Sequence, residues 1–158
     1  MTVREELFRN IKAQLEKICV NGADELFTAP DDVDSDLFEK AIKHIDLWNH
    51  NVEFIEQETA WGRPAVFIEF QPIKWNPIVI GVEYRADVLV NLHVVTDWKG
   101  GDGIGEFRLL EKIHEVLAGL EGSTFADFDI DSSLTNHDHE EIVENIECYS
   151  CVGFRRLG

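Results

Sequence analysis

A chain of 158 residues with 44% hydrophobic side chains, ten Phe and four Trp among them, has enough apolar surface for one compact domain, 1–158, with its own core. Against 14 basic side chains stand 31 acidic ones, a formal charge of -17, which repels phosphate and argues against general binding to nucleic acid or to an anionic membrane surface. The sequence offers no apolar run of membrane-spanning length and no secretory leader, and Cys19, Cys148 and Cys151 lack the even count of a disulfide framework, so a soluble protein of a reducing cytosol is the expectation.

The opening TVREELFRNIKAQLEKICVNG predicts a helix. Thr2 and Glu5 have capping-box spacing, Val3, Leu7, Phe8, Ile11, Leu15 and Ile18 recur at three- and four-residue steps, and Asn21-Gly22 is a stop signal. Residues 22–60 take a less regular course through the acidic loop APDDVDSD. Ser35 is placed to cap a short helix carrying Leu37, Phe38, Ala41 and Ile42, and IDLWNHNVEFIEQ reads as extended. Pro64 then opens the strand PAVFIEF, with Val66, Ile68 and Phe70 on one side and Ala65, Phe67, Glu69 and Gln71 on the other; Pro72 and Pro77 separate it from the next strand.

The strongest β pattern is GVEYRADVLVNLHVVTDW. Val82, Tyr84, Ala86, Val88, Val90, Leu92, Val94 and Trp98 fall on even positions, and Glu83, Arg85, Asp87, Asn91, His93 and Asp97 on odd ones, predicting a long strand with one buried and one wet face. After the connector KGGDGIG, EFRLLEKIHEVLAGLEG predicts a second amphipathic helix, with Phe107, Leu110, Ile113, Val116, Leu117 and Leu120 inward and an end at Gly122. FADFDIDSS and EEIVENIECYSCVGF form a terminal hairpin around SLTNHDH, with Ile142, Ile146, Cys148, Val152 and Phe154 sharing one face of its second strand. Helix, strands, helix, strands, without βαβ alternation, predicts an α+β fold: a mainly antiparallel β-sheet with two amphipathic helices packed on one face.

Several constellations invite chemistry, and each has a plainer explanation. Cys148 and Cys151, three apart on a strand, point to opposite faces and cannot close on one ion. His137 and His139 could share a face near Asp138 or Glu140, yet such residues are common at a polar hairpin tip. Asp127, Asp129 and Asp131 have the alternation of a calcium loop, but Ser132 stands where Gly is needed and Asp138 where the final Glu belongs. GGDGIG lacks the Lys-Ser/Thr ending of a phosphate loop and carries Asp102. His93 reads as a residue of the wet strand face and His114 as a boundary residue. No catalytic, cofactor or metal residue is assigned, and the chain is not expected to be an enzyme. Two other readings stay open: a small metal-binding protein or hydrolase using the hairpin from His137 to Cys151, and an acidic adaptor or DNA mimic.

The order of elements, with the strings TVREELFRNIKAQLEKI, RPAVFIEF, RADVLVNLHVV, EFRLLEKIHEVLAGL and ECYSCVGFR, resembles the tail terminator and tail-completion (minor tail) proteins of long-tailed bacteriophages, including prophage-encoded ones. The likeness covers most of the chain outside residues 22–60. It implies an α+β subunit that forms a homo-oligomeric ring capping the tail tube and joining it to head-completion proteins. It implies no cofactor and no catalytic residues, and a place in the bacterial host cytoplasm during assembly and then in the virion tail. An acidic lining would keep DNA from gripping such a ring.

Overall fold

A computed structural model describes residues 1–48, 62–97, 104–136 and 142–157. In chain order they form α1 (Val3–Leu15), β1 (Ile18–Val20), β2 (Leu26–Thr28), a 3-10 turn (Ser35–Leu37), β3 (Glu39–Lys40), β4 (His44–Leu47), β5 (Ala65–Phe70), β6 (Asn76–Val79), β7 (Glu83–Asp97), α2 (Ile104–Leu117), β8 (Phe125–Asn136) and β9 (Ile142–Arg156). The fold is α+β and mainly antiparallel. The large sheet has the order β4-β5-β7-β9-β8, with β6 also beside β7, and a small sheet has the order β2-β1-β3. Among the described residues no helix is long and apolar enough to cross a membrane.

The two fifteen-residue strands β7 and β9 are the frame. They pair antiparallel along their whole length, from Glu83 opposite Arg156 to Asp97 opposite Ile142. On the other side of β7, β5 takes the stretch Val90–Val95 and β6 the stretch from Glu83 to Arg85. Among the described strands only β4, beside β5, runs parallel to its neighbour. Strand register decides which face each side chain meets. Val66, Ile68 and the even positions of β7 from Ala86 to Val94 face the helices, where Leu7, Ile11 and Leu15 of α1 and Leu109, Ile113 and Leu117 of α2 complete the core. Each such Leu or Ile contributes about 1.5–3 kcal/mol on burial.

On β9 the helix-side face is the odd one, with Tyr149 and Cys151 in the core. The expected apolar set Ile142, Ile146, Cys148, Val152 and Phe154 does share a face, and that face is the one away from the helices, because His93 pairs with Ile146 and Asn91 with Cys148. Gly153 lies on the odd face, where a Cβ would come 2.9 Å from Val88 Cγ2 and 3.4 Å from Val3 Cγ2, so a side chain there would press on the start of α1.

Helix α1 begins as expected: the Thr2 hydroxyl accepts from Glu5 N at 3.2 Å. It ends sooner than the periodicity suggests, at Leu15. Ile18, Cys19 and Val20 form β1 instead, paired to Leu26–Thr28 on one side and to Glu39 and Lys40 on the other. The β-branched Ile and Val favour a strand, and Asn21-Gly22 turns out to be a hairpin turn: Asn21 Oδ1 accepts from Ala23 N and Glu25 N, both at 2.9 Å. The short helix expected after Ser35 is only a 3-10 turn, capped by Asp34 and not by Ser35. In α2, Phe107 is exposed and Leu109 is buried in its place, four residues before Ile113. Gly119, at φ 73°, closes that helix ahead of Gly122.

Glu6, in the first turn of α1, is buried and ties the helix to the segment entering β8. Its Oε1 accepts from Thr124 N at 2.8 Å and Thr124 Oγ1 at 2.7 Å, and its Oε2 from Ser123 Oγ at 2.8 Å. Burial by itself raises this carboxyl's pKa, but the hydrogen bonds from Thr124 and Ser123 outweigh it and hold the group at about 2, below its ordinary 4.5. Because the folded value lies below the unfolded one, this stabilisation is complete above pH 4.5 and is lost as pH falls toward 2. Glu6→Gln is expected to cost on the order of 2 kcal/mol at neutral pH and to flatten the acid limb of the stability curve over that window. Urea unfolding at a series of pH values measures both; an unchanged acid limb would contradict the assignment.

Candidate functional site

Two places on the large sheet depart from an ordinary core-and-surface pattern. The first lies on the face away from the helices, near the middle of β7. His93, expected on a wet face, is 5% exposed. Its Nδ1 lies 2.8 Å from Glu144 Oε2 and its Nε2 lies 2.9 Å from Glu69 Oε1. Trp48, just after β4, stacks on the imidazole with ring centres 3.5 Å apart and planes 14° from parallel. Asn136 Nδ2 donates to Glu144 Oε1 at 2.8 Å, Asn91 Nδ2 to Glu69 Oε1 at 3.0 Å, and Gln71 Nε2 to Asn91 Oδ1 at 3.2 Å. β4, β5, β7, β9 and β8 each contribute a residue or lead into one. Beside the cluster, Ala65, Phe67, Val95 and Ile142 make a small second core that Trp48 also covers.

Ionised carboxylates only accept hydrogen bonds, so each of the two contacts needs one proton between nitrogen and oxygen. An imidazolium between two carboxylates satisfies both, and so does a neutral ring that donates to one carboxylate and accepts from one carboxylic acid. Either way the imidazole has no lone pair left for a metal. The cluster is a buried polar clamp that fixes the register of four neighbouring strands, since a one-residue slip would carry His93 to the helix side. Its trace in the sequence is a Glu inside the apolar strand VFIEF and a His inside VNLHVV, two polar residues in segments otherwise built for burial.

The second place is the end of the sheet where β6 turns into β7. Ile78 is 56% and Ile80 85% exposed, and Val79, Val82, Phe154 and Leu157 are exposed beside them. The turn is well built: Val82 N donates to Val79 O at 2.9 Å, Gly81 adopts φ 79°, and Gly81 N donates to the Tyr84 hydroxyl at 2.9 Å. Leu157 N donates to Val82 O at 2.7 Å, drawing the end of β9 against it. Val82, expected on the buried face, is thus solvent-facing, because the core ends at Ala86. Around this apolar tip stand four exposed cations, Lys74, Arg85, Arg155 and Arg156. Arg85 lies over the Phe154 ring at 5.9 Å and Arg155 over Trp75 at 6.0 Å. None of the four has a carboxylate within ion-pair distance among the described residues. The run Ile78-Val79-Ile80 between Pro77 and Gly81 is the trace of this arm in the sequence, overshadowed by the longer alternation of β7 that follows it.

The other residues singled out in the sequence are dispersed. Cys148 and Cys151 do point to opposite faces. Cys151 sits in the main core, where burial pushes its thiol up to about 12, and Cys148 lies near Gln71, its thiol raised by burial and then by the Asp131 charge, with a bond from Ser132 opposing. Both are poor nucleophiles and poor thiolate ligands as placed. Asp127, Asp129 and Asp131 are exposed along β8, and Asp127 takes φ 58° where the register to β9 breaks. His114 is half-buried on α2 facing Tyr149, ring centres 6.2 Å apart; its Nδ1 and the Tyr149 hydroxyl are buried without a hydrogen-bond partner among the described residues. His137, Asp138, His139, Glu140 and Asp102 lie outside the described residues, and among the described residues no group of three His, Cys, Asp or Glu could hold a metal ion. Neither a family model nor a curated protein matches the chain.

Proposed function

We propose that this chain is a virion structural subunit of the tail terminator kind, which joins copies of itself into a ring at the end of a bacteriophage tail tube and meets head-completion proteins there. The observation that carries this reading is the apolar arm at the β6–β7 turn. A chain finished as a monomer has no use for Ile78, Val79, Ile80 and Val82 in water on a rigid turn, whereas a subunit gains roughly 1 kcal/mol or more from each on burial against a neighbour. The α+β architecture, with helices over one sheet face, agrees with the resemblance in the sequence, and the acid excess suits a ring that DNA must pass without adhering. Assembly then takes place in the host cytoplasm, and the finished ring belongs to the virion tail.

The metal-dependent reading draws less support, since Cys148 and Cys151 cannot serve one ion and both ring nitrogens of His93 are occupied. Negative-stain microscopy of the purified chain mixed with tail tubes tests the proposal. Closed rings seated on tube ends are the expected outcome, and tubes that stay bare over a monomeric protein would overturn it.

A further inference from the structure

We infer that a single proton between His93 Nδ1 and Glu144 Oε2 acts as a pH-sensitive latch on the sheet face away from the helices, closed while the proton is held and opened when base removes it. The hydrogen bonds of the cluster place its protons. Glu69 Oε1 accepts from Asn91 Nδ2 at 3.0 Å and also faces His93 Nε2 at 2.9 Å. A carboxyl oxygen that already accepts an N–H is a poor place for a proton of its own, so Nε2 carries the hydrogen and donates to it. Asn91 is fixed in this sense because its Oδ1 accepts from Gln71 Nε2 at 3.2 Å. On the other side of the ring, Glu144 Oε1 accepts from Asn136 Nδ2 at 2.8 Å, and Glu144 Oε2 faces His93 Nδ1 at 2.8 Å. One proton has to lie between these last two atoms, on the nitrogen of an imidazolium or on the oxygen of a carboxylic acid. Without it two lone pairs meet at 2.8 Å, where the Glu144 side chain is 4% exposed.

Closing the latch takes up a proton, whichever atom holds it. In the unfolded chain above about pH 6.5 the imidazole is neutral and both carboxyls, with ordinary values of about 4.3, are ionised, so the three side chains carry one proton where the closed cluster carries two. The contribution to folding is therefore complete between those two ordinary values. Above about pH 6.5 it falls by up to about tenfold in the folding constant for each pH unit, until the proton leaves and the cluster opens. Other charged groups on this face lie beside the latch and do not replace it. His44 is 3.8 Å from Asp46 on β4, and Arg63 bonds to Asp97 at the end of β7. The Cys148 thiol near Gln71 is pushed up by burial and then by the Asp131 charge, so it stays neutral as the latch titrates. Trp48 lies over the latch, stacked on the imidazole with ring centres 3.5 Å apart, while its backbone N donates to Ile68 O at 2.9 Å. Opening thus frees the indole and leaves the strand pairing beneath it in place.

Urea unfolding of the parent and of His93→Phe with Glu144→Gln, in steps from about pH 6.5 to the ordinary thiol value of about 8.5, tests the latch. The parent's folding constant is expected to fall, relative to the variant's, by up to about tenfold per pH unit. Curves that stay parallel would overturn the inference. A second readout uses the parent alone and does not depend on how the variant folds. Nuclear magnetic resonance of the chain with isotope-labelled histidine and glutamate is expected to show, at about pH 8, either a His93 imidazolium or a protonated Glu144. A neutral ring between two ionised carboxylates would overturn the inference. Alkaline titration followed by tryptophan emission reads the opening itself: a step is expected in the parent that is missing from Trp48→Phe, and no step, or the same step in both, would contradict the release of Trp48.

Discussion

Replacing His93 with alanine is expected to lower the unfolding free energy by about 3 kcal/mol. The substitution removes the group that faces Glu144 Oε2 at 2.8 Å, in a site where the Glu144 side chain is 4% exposed. The buried carboxyl left there has lost its hydrogen-bonding partner, and folding bears the cost of that unsatisfied group. The stacking surface under Trp48 disappears as well. The variant His93→Phe with Glu144→Gln is expected to recover much of the loss, because it keeps a ring beneath Trp48 and removes the buried charge. Urea unfolding followed by circular dichroism and by tryptophan fluorescence measures both variants. A loss below about 1 kcal/mol in His93→Ala would mean that the cluster is solvated and does not clamp the strands.

Gly122→Ala is expected to cost about 3 kcal/mol although the residue is exposed. A Cβ at this position would lie 2.8 Å from Phe125 Cδ1 and closer still to Phe125 Cε1 and the Glu6 carboxylate. Phe125 is 2% exposed and packs edge-on to Phe128 in the main core, with 6.1 Å between ring centres, so its ring has no room to retreat. Moving Glu6 instead would break its bonds to Ser123 and Thr124. Gly122→Ala and Glu6→Gln act on one junction, and their combined cost is expected to fall short of the sum of the two. Differential thermal unfolding of the single and double variants reads this. Simple additivity would show that the ring, and not the carboxylate, absorbs the clash.

The long elements were legible because burial on one face writes a period into the chain. The β7 alternation and the Val66-Ile68 side of β5 placed the sheet, and Leu7, Ile11 and Leu15 placed the first helix. What the pattern could not give was a boundary set by pairing elsewhere. Ile18 continues the helical spacing of α1, yet β1 forms because strands on both sides pair with it. Nor does alternation say which face the helices will cover: on β9 the even and odd sets are both largely buried, and register with β7 decides between them. The polar clamp was hidden for a related reason. Glu69 and Glu144 stand 24 and 51 residues from His93 in sequence, and each of the three alone looks like a solvent-facing position until the strands are aligned. The arm is an apolar triplet in the sequence, but no periodicity marks a segment whose apolar side chains stay exposed.

Sedimentation velocity of the full chain across a range of concentrations, alone and with Ile80→Asp, bears most directly on the claim that this protein works by docking with itself. The expected result is a parent species heavier than the monomer that grows with concentration and, in the variant, reverts to the monomer without loss of fold. A parent chain that sediments as a single monomer throughout, with or without tail tubes, would contradict it.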